Sequence, residues 1–141
     1  WVEFTQSSAQ TISPGTNITW DTKRTTGGDS ISINSSTGVI TLDSSKRYWI
    51  QASIHFIRSS VQQNDSVSFE FQDSAGSTVT PANGGFSMVY VEDINVPYIN
   101  SSFVASLMIS YPSLSYKLVC TDIPNNSTFA SQSSLFIMEL K

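Results

Sequence analysis

Few residues of this 141-residue chain are suited to catalytic chemistry. His55 is its only histidine and Cys120 is its only cysteine. A serine–histidine–acid triad needs a histidine that is held by an acid and presented to a serine, and the chain has no Gly-x-Ser-x-Gly nucleophile motif. One histidine and one cysteine also do not make a zinc-ligand set. We therefore predict that His55 is a structural residue in the middle of a strand and that Cys120 is a buried, unreactive thiol.

The acidic residues form no catalytic or metal-binding pattern. Hydrolysis of a glycoside needs two carboxylates that face each other about 5–10 Å apart. The glutamates are instead scattered along the chain, at positions 3, 70, 92 and 139. No Asp-x-Asp-x-Asp-Gly loop is present to supply the oxygen ligands of a calcium ion. We expect a protein that is not an enzyme and that has no metal ion or cofactor.

Composition restricts the class of partner. Charged residues make up 13% of the chain, against about 25% in an average soluble domain, and serine and threonine take their place. With a net charge of −4 and no cluster of basic residues, we expect no nucleic-acid partner. No apolar run is long enough to span a bilayer, so we expect no membrane insertion. Because the chain starts at Trp1 without a signal peptide, we expect it to be the C-terminal fragment of a longer protein.

The strongest structural signal is the alternation of residues 48–57. One face of this segment is an unbroken apolar set at period two: Tyr48, Ile50, Ala52, Ile54 and Phe56. The other face is polar in the middle and apolar at its ends: Trp49, Gln51, Ser53, His55 and Ile57. A solvated face rarely carries a tryptophan and an isoleucine in this way. We therefore expect another strand or another subunit to cover part of it.

Shorter alternating segments without a helical period occupy the rest of the chain. Strands are predicted at residues 1–8, 17–22, 31–33, 39–42, 67–72, 86–91, 100–111, 116–120 and 134–140. The last segment is apolar on both faces, which predicts a place in the middle of a sheet. Several connections are too long for two-residue hairpins, which favours a jelly roll over a meander. The predicted fold class is all-β: one domain, residues 1–141, forming a two-sheet antiparallel jelly-roll sandwich of about ten strands.

Several segments resemble the C1q/TNF-like trimeric head domain. They are residues 17–21 (Asn-Ile-Thr-Trp-Asp), a Gly-Gly loop, residues 31–34 (Ile-Ser-Ile-Asn), residues 36–41 (Ser-Thr-Gly-Val-Ile-Thr) and residues 48–56 (Tyr-Trp-Ile-Gln-Ala-Ser-Ile-His-Phe). The ending, residues 133–141, is similar to the closing strand of that family, which lies centrally in the inner sheet. Residues 86–98 have no clear counterpart, and the corner at 43–47 lacks the usual proline and glycine. The resemblance implies a ten-stranded jelly roll that assembles as a compact homotrimer at the end of a stalk.

The resemblance also implies which residues meet near the threefold axis. In such a trimer the second face of the central strand is buried between subunits. The predicted trimer interface consists of Trp49, Gln51, His55, Ile57, Leu135 and Ile137.

The loops are the surface that remains for recognition. Their serine, threonine, asparagine and glutamine residues, with a few aromatic side chains, suit hydrogen bonding and stacking against a carbohydrate or a protein epitope. The candidate receptor-binding residues are Tyr98, Asn100, Asn125 and Phe129.

These expectations favour a non-enzymatic, trimeric attachment head: the knob of a viral or bacteriophage spike or fibre that binds a cell-surface receptor of the host. Its expected location is the virion surface or the extracellular space. One alternative is a C1q-like or cytokine-like module that caps a collagen-like stalk in a bacterial or eukaryotic extracellular protein. Another is a carbohydrate-binding jelly-roll module. Fold analogy alone does not decide among them.

Overall fold

The computed structural model describes residues 1–25, 30–58, 65–79, 88–92, 99–110, 112, 115–122, 127–129 and 133–141. None of these residues is helical, so the described part of the chain contains no helix that could cross a membrane. Twelve strands are present: β1 (Val2–Thr5), β2 (Gln10–Thr11), β3 (Thr22–Lys23), β4 (Ile31–Ile33), β5 (Ile40–Leu42), β6 (Arg47–Arg58), β7 (Asp65–Asp73), β8 (Met88–Glu92), β9 (Ile99–Ser110), β10 (Tyr116–Asp122), β11 (Ser127–Phe129) and β12 (Ser134–Leu140).

The strands form two antiparallel sheets. The seven-stranded sheet has the order β2-β11-β6-β12-β1-β3, with β9 paired to the other edge of β6. The five-stranded sheet has the order β4-β5-β10-β7-β8. The chain passes repeatedly from one sheet to the other, which is compatible with a jelly roll. The predicted two-sheet antiparallel sandwich of about ten strands is confirmed, since ten of the twelve strands contain three or more residues.

Strand β6 organises the core because its alternation places one face between the sheets. The side chain of Phe56, predicted on the same face, is outside the described part of the structure. Tyr48, Ile50, Ala52 and Ile54 are each 0% exposed, as the sequence predicts. The five-stranded sheet contributes the apolar face on the opposite side of the same core, including Phe69, Phe71, Leu118 and Cys120. Each large side chain buried in this way stabilises the fold by about 1.5–3 kcal/mol relative to an exposed position.

Strand β12 lies between β6 and β1, so the predicted central position of the closing strand is confirmed. Its inward residues are Leu135 and Ile137, both 0% exposed and both part of the core. On the β1 side they pair with Phe4 and Val2. This corrects the sequence-based assignment of Leu135 and Ile137 to a trimer interface, because neither side chain has surface to offer to a partner. A strand that is apolar on both faces does not reveal from its sequence which face is inward.

The predicted strand at residues 17–22 forms only in part. Asn17 makes an isolated bridge to Val119, and Ile18 N donates to Leu118 O at 2.9 Å. The ladder ends there because Thr19 N donates instead to Oε1 of Gln10, at 3.2 Å. Burial does not depend on the ladder, and Ile18 is 0% exposed.

Candidate functional site

Aromatic and methionine side chains gather on the outer side of the seven-stranded sheet. The register places Met138 of β12 and Met108 of β9 directly opposite Trp49 of β6. Residues that lie opposite each other in antiparallel strands share one face, so these three side chains form a row across three strands. Phe136 lies two residues from Met138 on the same face. We call Trp1, Trp49, Met108, Phe136 and Met138 the aromatic face.

The aromatic face is held together by ring contacts and is incompletely covered. The rings of Trp1 and Phe136 are stacked, with centroids 5.4 Å apart and an interplanar angle of 29°. Trp49 meets the edge of the Phe136 ring at a centroid distance of 6.0 Å and an angle of 67°. Trp1 is 59% exposed and Met108 is 54% exposed, and they are the large hydrophobic residues exposed in the described part of the chain. Exposed apolar side chains grouped on one face are a candidate interaction surface.

Further along β6 the same outer face becomes polar. Gln51, Ser53 and His55 follow Trp49 at alternate positions, and all are half-buried. The backbone of His55 is fixed by the buried hydroxyl of Ser133: His55 N donates to Ser133 Oγ at 2.8 Å, and Ser133 Oγ donates to His55 O at 3.2 Å. This pair of hydrogen bonds ties the middle of β6 to the start of β12. The predicted interface residues Trp49, Gln51 and His55 therefore lie on one outer face.

The remaining predicted site residues are placed less completely. Ile57 lies in β6, but its side chain is outside the described part of the structure. Tyr98 and Asn125 lie outside the described residues. Asn100, predicted at the junction of a loop and a strand, and Phe129, predicted as a loop residue, are both strand residues. Their backbones flank β6 on opposite edges, paired with Ile57 and Phe56.

Two of the four glutamates are held by neighbouring side chains. Glu70 lies in the five-stranded sheet and accepts hydrogen bonds from Gln72 and Thr78. Glu139 lies in the seven-stranded sheet and forms a salt bridge with Lys46 at 2.9 Å. The hydrogen bond from Lys46 is the main reason that the pKa of Glu139 is lowered, and the same contact raises the pKa of Lys46. The two carboxylates thus belong to separate surfaces.

Cys120 is 0% exposed, and desolvation raises the pKa of its thiol to about 12. A thiol with such a pKa is almost entirely protonated at neutral pH and is a poor nucleophile. Within the part of the chain that the structure describes, no three His, Cys, Asp or Glu side chains are grouped to hold a metal ion.

A second feature of the outer face is a groove of about 410 Å³ at the β1–β3 margin of the sheet. We call it the polar groove; its lining consists of Glu3, Thr5, Gln6, Ser7, Thr22, Arg24 and Ser134. The sequence does not predict these residues as part of a site, and it does not predict Met108, Phe136 and Met138 as part of one either. Both sets are assembled by strand register, and no motif in the sequence marks them.

Comparison of the sequence with protein-family models finds no match, and comparison with curated proteins finds no significant similarity.

Proposed function

We propose that the chain is a non-enzymatic attachment head that assembles as a homotrimer through the aromatic face. The observation that carries the proposal is the exposure of Trp1 and Met108 beside Trp49, Phe136 and Met138. Aromatic residues and methionine are enriched in the buried centres of protein interfaces. Burial of these side chains against another subunit would remove their apolar surface from water, at about 25 cal/mol per Å².

The number of subunits is argued from the C1q/TNF-like resemblance of residues 17–56, together with the two-sheet sandwich. A threefold arrangement is heterologous, so one subunit presents the aromatic face and its neighbour presents a different surface. The polar part of β6, with Gln51 and His55, would lie at the margin of the same interface. An interface with an apolar centre and a polar rim has the usual anatomy of protein association.

Receptor attachment at a virion surface or in the extracellular space is the second part of the proposal. It is supported by the low charged fraction of 13% and the abundance of hydroxyl side chains on exposed positions. Recognition of a receptor also agrees with the engaged state of the Glu70 and Glu139 carboxylates, which favours binding over hydrolysis. A carbohydrate-binding role has its own observation, the polar groove.

The association is tested by comparing the molar mass of matched variants by light scattering after size exclusion. Met108→Ser and Trp49→Ser remove apolar side chains from the aromatic face and should shift the protein from trimer toward monomer. Lys117→Ser, on the outer side of the five-stranded sheet, is the control and should leave the mass unchanged. Trimers that persist in both aromatic-face variants, with circular dichroism like that of the wild type, would place the interface elsewhere.

A further inference from the structure

The polar groove is assembled by register on the outer side of the sheet. Thr5 of β1 pairs with Thr22 of β3 on one side and with Ser134 of β12 on the other. Three hydroxyl side chains therefore stand in one row across three strands. One row away, Arg24 N donates to Glu3 O at 2.8 Å, which brings the guanidinium and the carboxylate to the same groove.

Many polar groups in the polar groove have no partner within the described part of the protein. The side chains of Glu3, Arg24, Thr5 and Ser134 make no hydrogen bond or ion pair there, although the first two carry opposite charges. Gln6 is 3% exposed, and its Oε1 is buried without a hydrogen-bond partner among these residues. The side-chain groups of Glu3, Arg24, Thr5 and Ser134 are therefore available to a ligand in the groove.

Two hydroxyls of the lining, those of Ser7 and Thr22, are fixed in orientation. Ser7 Oγ donates to Asp21 Oδ2 at 2.8 Å, and Thr22 Oγ1 donates to Asp21 Oδ1 at 2.9 Å. Desolvation acts to raise the pKa of Asp21, but the hydrogen bonds from Ser7 and Thr22 outweigh it and the pKa is lowered. Asp21 is therefore ionised at neutral pH and accepts the hydrogen bonds from both hydroxyls. The lone pairs of the Ser7 and Thr22 oxygens can then accept hydrogen bonds from a ligand in the groove.

The chemistry of the polar groove matches a polyol. The lining itself carries one carboxylate, of Glu3, and one guanidinium, of Arg24, and the ionised carboxylate of Asp21 lies behind Ser7 and Thr22, so an anion is not favoured. Each sugar hydroxyl both donates and accepts, which suits a lining that mixes donors and acceptors. A volume of about 410 Å³ falls within the range of small-molecule sites.

We propose that the polar groove binds a neutral sugar of one or two pyranose units. That this sugar belongs to the receptor of an attachment head rests on the function proposed above. The binding itself does not rest on it, because the lining residues come from one chain.

The experiment is a titration of the ¹⁵N-labelled protein with four probes, each to 20 mM: the methyl glycosides of glucose, galactose and mannose, and N-acetylglucosamine. For at least one probe we expect a dissociation constant in the millimolar range, on the order expected for a ligand of this size. Amide shifts should be confined to Glu3–Ser7, Thr22–Arg24 and the region of Ser134. Arg24→Ala and Thr5→Val should each weaken binding about tenfold, as the loss of one well-made hydrogen bond does.

Controls separate the site from the fold and from the assembly. Thr41→Val, at an exposed position of the five-stranded sheet, should bind as the wild type does. No shift with any of the probes, shifts located elsewhere, or tighter binding of the anionic sugar N-acetylneuraminic acid would overturn the proposal. The molar mass of each sample is read in parallel. If the protein is a trimer and binds no sugar, only the proposal of sugar binding in the polar groove is refuted. If it is a monomer and binds sugar, only the proposal of a trimer is refuted.

Discussion

Substitution of Gly38 by alanine should destabilise the protein far more than the same change at another glycine with positive φ. Gly38 has φ +70° and lies against the segment that contains Ile18. A Cβ at this position would stand 2.0 Å from Ile18 O and 3.0 Å from Ile18 C, where real Cβ atoms do not approach below 3.0 Å. The backbone of residue 18 must therefore move.

The loss of folding stability in Gly38→Ala can be estimated from the conformational cost and the hydrogen bonds that this movement weakens. The left-handed conformation costs an alanine about 1–2 kcal/mol. Displacement of Ile18 weakens its hydrogen bond to Leu118 O and that of Asn17 Nδ2 to Thr37 O, at about 1 kcal/mol each. We expect a total loss of about 4 kcal/mol for Gly38→Ala. Gly76→Ala is the matched control: its φ is +84° but nothing lies within 4 Å of the added Cβ, so only the conformational cost of about 1–2 kcal/mol applies.

The assay is urea unfolding followed by tryptophan fluorescence, at one protein concentration so that any association is constant. Thermal unfolding should show the same order, with Gly38→Ala melting about 10 °C below Gly76→Ala. Equal losses for the two variants would mean that the contact between residues 18 and 38 does not constrain the fold, and the reasoning from close approach would be refuted.

Three further outcomes are expected. Cys120 should react with Ellman's reagent at pH 8 only as fast as the protein unfolds, because its thiol is fully buried and burial raises its pKa to about 12. Rapid reaction of the folded protein would contradict the buried position of Cys120. The stability that the Lys46–Glu139 pair contributes to the folded protein should be complete above pH 4.5, the ordinary pKa of a glutamate. It should be lost as the pH falls through the lowered pKa of Glu139. The urea midpoint should therefore fall between pH 6 and pH 3 by more in the wild type than in Glu139→Gln. Leu135→Ala should cost about 3 kcal/mol of folding stability, since the side chain is 0% exposed. Phe136→Ala, on the outer side of β12, should act mainly on subunit association. Equal losses of unfolding free energy in the two variants would contradict the assigned faces.

The parts of the fold that depend on apolar alternation are predictable from the sequence. The inward face of β6 and the central place of β12 follow from hydrophobic period and from apolar residues on both faces. By contrast, β2 contains only polar residues, and β11 contains two polar residues and Phe129. These segments are strands because they pair with each other and, through β11, with β6. Such strands form because neighbouring strands pair with their backbones, and their sequences show no alternation of apolar and polar residues.

The candidate sites were less predictable for a related reason. Trp49 stood out because a tryptophan on a polar face is unusual, but its neighbours Met108 and Met138 are known only once the register is known. The polar groove likewise joins Thr5, Thr22 and Ser134, which are distant in sequence and ordinary in type. Sequence periodicity assigns a residue to a face of a strand, and register decides which residues meet there.

The central claim, assembly as a trimer through the aromatic face, is tested most directly by the mass of the wild-type protein in sedimentation equilibrium over a wide concentration range. The account predicts a single species at three times the chain mass of 15.4 kDa that persists as the protein is diluted. A species at the mass of one chain at all concentrations would contradict it.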